Sequence, residues 1–70
     1  MTPTEARTLT AGDRVSVRRD EHATDRALTG RGSVRQVWPL HSDAPATNVV
    51  VDLDSGNAVA VTPERIRRAR

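Results

Sequence analysis

The side chains able to do chemistry are few in this 70-residue chain, and they form no constellation that a reaction would require. His22 and His41 are the only histidines, and neither has a Cys or a nearby carboxylate at metal-ligand spacing. Both read as solvated loop residues. Asp52 and Asp54 are two apart and so share one face of an extended strand, where they would hold a cation or position a base. The simpler reading is a polar outer face opposite Val51 and Leu53. Gly30-Arg31-Gly32 is too short to cradle a phosphate, and no G-x-x-x-x-G-K-[ST] loop is present. Neither a nucleophile with its base nor a carboxylate pair in a pocket can be assembled, so we expect a non-enzymatic domain without cofactor or metal.

Charge placement carries more information. All eleven cationic residues are Arg, against nine acids. From Arg14 to Arg35 there are six Arg and three acids; Gln36 to Val61 has three Asp and no Arg; Thr62 to Arg70 has four Arg and Glu64. Two basic ends thus flank an acidic middle. Arg forms bidentate contacts with phosphate better than Lys does, whereas a GC-rich genome also converts Lys to Arg and enriches Ala, Val and Thr. Composition leaves both readings open.

The elements that would position these residues follow from periodicity. Seventy residues make one domain that buries roughly 60% of the surface its unfolded chain exposes. Its apolar content is 36%, mostly Val, Ala and Leu, with one Trp and neither Phe nor Tyr, so the core is small and aliphatic. Without Cys there is no disulfide to stabilise it. Closure of a sheet or self-association must serve instead, and the oligomeric state stays open. No apolar run reaches the length of a membrane span, and the N-terminus has no apolar signal segment. We expect a cytoplasmic protein without a membrane partner.

Residues 1–11 lack a clean period and read as a flexible lead-in, with Leu9 available to pack on the domain formed by residues 12–70. After the Gly12-Asp13 turn, Arg14-Val15-Ser16-Val17-Arg18 alternates polar and apolar, the pattern of a half-buried strand. Arg19 to Gly30 is charged and aperiodic and reads as a long exposed loop. Val34 and Val37 lie three apart, so both can face inward only across a bulge or bend. Pro39 to Thr47 is a loop by composition. Asn48 to Asp54 and Ala58 to Val61 form a hairpin about Asp54-Ser55-Gly56-Asn57. Thr62-Pro63-Glu64-Arg65 suits one helical turn, with Pro at its first position, and Ile66 to Arg68 a brief last strand. The alternative, a helix from Pro63 to Arg70, has only Ile66 as a large apolar residue.

This order resembles the SH3-like barrel. Gly12-Asp13-Arg14-Val15-Ser16-Val17 is similar to the first strand of such domains, and Gly30-x-Gly32-Ser33-Val34-x-x-Val37 to their bent second strand. Asp52 to Gly56, followed by Thr62 to Ile66, is similar to the distal hairpin and closing turn. The resemblance covers Gly12 to Arg68 and implies an all-β barrel of about five strands with a short helical turn before the last. Gly30 to Val34 also partly resembles the G-x-G-x-V pattern of KOW-type domains, which often contact RNA or the transcription machinery. The V-Q-I-Y-type strand of the plasmid-type dihydrofolate reductases, which share this fold, is missing, and no motif ties the chain to the SH3-like subunit of photosystem I.

In such a barrel the last strand pairs with the first, and the two basic ends meet. The expected nucleic-acid-binding residues are then Arg14, Arg18, Arg19, Arg31, Arg65, Arg67 and Arg68. With Trp38 the only Phe, Tyr or Trp residue, base stacking contributes little, and binding rests on phosphate contacts. The alternative is a protein-docking module using Trp38 and His41. Trp38 has two readings, a docking anchor or a cap on the aliphatic core, and the second is favoured. Recognition of proline-rich peptides requires an aromatic-lined groove that this chain lacks.

Overall fold

The computed structural model describes residues 1–19 and 28–69. Most of the loop expected between Arg19 and Gly30, with His22, lies outside them. The domain is all-β: β1 (Arg14–Val17), β2 (Gly30–Trp38), β3 (Asn48–Leu53), β4 (Ala58–Val61) and β5 (Ile66–Arg68) form one antiparallel sheet in the order β4-β3-β2-β1-β5. A 3₁₀ turn, Pro63–Arg65, joins β4 to β5.

The alternation read from the sequence sets which side chains turn inward. Val15 and Val17 on β1, Val49, Val51 and Leu53 on β3, Val59 and Val61 on β4, and Ile66 on β5 are all buried, and the residues between them face out. On β2 the pairing steps from Val34↔Val51 to Gln36↔Val50. Arg35 is therefore the extra residue of a bulge, and that insertion lets Val34 and Val37 both reach the core. The same shift corrects the favoured reading of Trp38. With Val37 turned in, Trp38 faces out at the end of the strand and is 41% exposed.

β2 serves two partners. Gly30 to Ser33 pairs with β1, and Gly32 to Trp38 pairs with β3, so both neighbours meet at Gly32 and Ser33. A Cβ built at Gly32 would lie 2.4 Å from the Asp52 carbonyl oxygen. Only glycine lets β3 cross this close. The β3–β4 hairpin closes with the Leu53 N–H donating to the Asn57 carbonyl at 2.7 Å, and Gly56 takes the positive φ of +104° that this turn demands. In the 3₁₀ turn the Arg65 N–H donates to the Thr62 carbonyl at 3.1 Å, and Pro63 is buried, while the Thr62 side chain makes no capping bond.

The expectation of a flexible lead-in is corrected. Pro3–Arg7 form a short helix, α1, with a full capping box: the Glu5 N–H donates to Thr2 Oγ1 at 3.2 Å and the Thr2 N–H to Glu5 Oε1 at 3.3 Å. The exposed Glu5 carboxyl is held below its usual range by the Thr2 backbone N–H and then by its hydroxyl. Ala6 and Leu9 join the core. Two bonds tie α1 to the segment after β2, from the Ala46 N–H to the Pro3 carbonyl (3.0 Å) and from Arg7 Nε to the Ala44 carbonyl (2.6 Å). Thr2→Ala should cost about 1 kcal/mol, seen in urea melts as a lower midpoint at unchanged slope. An unmoved midpoint would mean that the capping box does not hold α1 in place.

Candidate nucleic-acid interface

The outer face of β2-β1-β5 places three side chains in one cross-strand row. Ser16 on β1 pairs with Arg31 of β2 on one side and Arg67 of β5 on the other. Adjacent strands lie about 4.8 Å apart, so the two Arg stand about 10 Å apart with a hydroxyl between them. Ser16, Arg31, Arg67, Arg68 and Ala69 line an open groove of about 760 Å³. A neighbouring hollow of about 400 Å³ shares Ser16 and Arg67 with it and is lined also by Arg18 and Glu64.

The seven arginines expected to act together divide into groups. Arg14 is turned away toward the hairpin, where it grips Asp54 through both guanidinium nitrogens (2.9 and 2.5 Å) and also donates to Ser33 Oγ at 3.0 Å. That bond raises the Arg14 pKa and lowers that of the Asp54 carboxyl. Arg68 sits on the groove's rim, bonded to Thr8 Oγ1 at 3.1 Å and 3.7 Å from Asp13. Arg65 donates from Nε to the Arg18 carbonyl at 3.3 Å, while Arg18 and Arg19 are exposed at the end of β1. Among the described residues, Arg18, Arg31 and Arg67 have no carboxylate within ion-pair distance; the ion pairs there use Arg14, Arg35 and Arg68.

The remaining candidates resolve simply. Asp52 is paired with Arg35 at 2.6 Å and Asp54 with Arg14, so cross-strand arginines occupy both carboxylates. His41 is exposed with a φ of 53°, close after the Trp38–Pro39 cis peptide. Among the described residues no group of three His, Cys, Asp or Glu could hold a metal ion, and no helix is long and apolar enough to cross a membrane.

Ser16 is the site residue that sequence reasoning missed. Its signal was its place between Val15 and Val17 on the polar face of β1, but its neighbours depend on strand register. Guanidinium groups around a hydroxyl suit the oxygens of a phosphate. Among the described residues no aromatic ring lines the groove, so phosphate contact and not base stacking is what they offer. Comparison with protein-family models, with curated proteins and with solved structures found no match to the chain.

Proposed function

We propose that this chain is a non-enzymatic binding module of SH3-like barrel type, working in the cytoplasm, that holds the phosphate backbone of nucleic acid in the Arg31-Ser16-Arg67 groove. The strand order β4-β3-β2-β1-β5 and the 3₁₀ turn before β5 support the barrel reading. The row of Arg31, Ser16 and Arg67, with no carboxylate at ion-pair distance among the described residues, carries the functional one. Phosphate contact of this kind supplies affinity without reading sequence. Arg18, Arg31, Arg67 and Arg68 together neutralise about four phosphates, which gives a log–log salt slope near −3.6 on a duplex. Anisotropy titrations of labelled duplexes of unrelated sequence across a salt series test this. Binding that ignores salt, or no binding at low ionic strength, overturns the reading.

A second reading, protein docking, draws on Trp38 and Leu40, which stand 41% and 39% exposed on either side of Pro39, with His41 beside them. Trp38→Ala should leave the unfolding midpoint nearly unchanged and the nucleic-acid titration intact while removing a protein partner. A large loss of stability instead would mark the ring as structural.

A further inference from the structure

The two edges of the sheet differ. β5 carries Arg67 and Arg68, and its Ile66 carbonyl accepts the N-terminal amine at 3.1 Å. β4 is Ala58-Val59-Ala60-Val61, with no charge, no Pro and no bulge. Exposed edges usually carry such guards because their free N–H and C=O groups template another strand.

Register identifies the free groups. Leu53 bonds Asn57 across the hairpin, and hydrogen-bonded pairs alternate along an antiparallel ladder. The backbone groups of Val59 and Val61 therefore face β3, and those of Ala58 and Ala60 face away from the sheet. Among the described residues the outward groups of Ala58 and Ala60 have no partner, and both residues are exposed.

We infer that β4 is a self-association edge whose occupant is β4 of a second copy of this chain. An antiparallel pairing centred on Val59 sets Ala58 against Ala60 of the second copy, and the reverse, so that each pair exchanges both of its hydrogen bonds. The edge is thus its own complement, as a twofold interface requires. Charge does not oppose it. β4 has no ionisable side chain, and the two carboxylates on the strand and turn that precede it, Asp52 and Asp54, are paired with Arg35 and Arg14. Of the outward side chains next to the junction, Ala58, Ala60 and half-buried Val50 are small and apolar, and Asp52, the register partner of Ala58, is held by Arg35. A twofold axis normal to the sheet puts the outer faces of both copies on one side, which makes any ligand of that face bivalently held.

Sedimentation equilibrium of the full chain from about 10 µM to about 1 mM should show a reversible monomer–dimer equilibrium. Backbone NMR shifts over that series should centre on residues 57–62. Ala60→Pro should weaken the dimer at least about tenfold with an unchanged far-ultraviolet spectrum, because the lost N–H points away from β3. Ala58→Lys with Ala60→Lys provides the same test without a backbone constraint. A monomer throughout the range, a dimer that the double Lys variant leaves intact, or an edge that pairs with added extended peptides but not with itself overturns the inference.

Discussion

Gly32→Ala will remove a large share of the domain's stability. The added Cβ would meet the backbone of β3 at three points: the Asp52 carbonyl oxygen at 2.4 Å, the Asp52 carbonyl carbon at 2.9 Å and Leu53 Cα at 2.9 Å. None of these belongs to a side chain that can rotate aside. Relief requires β2 and β3 to separate where β2 also pairs with β1, through Val15↔Gly32. Overpacking a core with a methyl group costs about 1–3 kcal/mol and occasionally more, and a clash with backbone belongs at or above the upper end. A domain of this size has about 3.5–10 kcal/mol in all. Circular dichroism and guanidinium melts should show a loss of about 3 kcal/mol or more. A variant within about 1 kcal/mol of the parent would mean that the two strands do not approach as closely as described.

Arg31→Ala combined with Arg67→Ala should halve the salt dependence of nucleic-acid binding, from a slope near −3.6 to one near −1.8, as two of about four phosphate contacts disappear. Affinity should fall alike for all sequences, because the lost contacts read no bases. Arg14→Ala provides the contrast. Its guanidinium is bound to Asp54, so its removal should leave the slope where it was. A composition-level account, in which every Arg adds equally to one basic face, predicts a smaller slope for Arg14→Ala as well. Equal slopes for the parent and the double variant would remove the groove from the binding surface altogether.

The contrast between Arg14 and Arg67 marks how far the site was legible. Both were expected in the site because both lie on strands that pair. Reading the chain placed them near each other but could not say which arginines would find carboxylates, since Asp54 reaches Arg14 only through the β3–β4 turn and a separation of forty residues. Ser16 was missed for the same reason. Its role comes from having Arg31 and Arg67 as register partners, and register is a property of paired strands. Trp38 was misread although alternation decides its side: once a bulge lets both Val34 and Val37 turn inward, the next residue of the strand faces out. Two valines three apart require a bulge but do not fix its position, which is at Arg35. α1 was overlooked because five residues are too few to show a helical period, although Thr2-Pro3-x-Glu5 carries the chemistry of a capping box.

What the chain alone determined was local: the strands, the bulge, the hairpin and the turn before Ile66, because period-two alternation and the special backbone of Gly and Pro act between near neighbours. Among the described residues, which arginines are bound, which face solvent, what flanks Ser16 and which sheet edge has no partner were decided only when distant strands came into register. Ion pairing and edge exposure depend on contacts across the sheet, and no short stretch of sequence contains them.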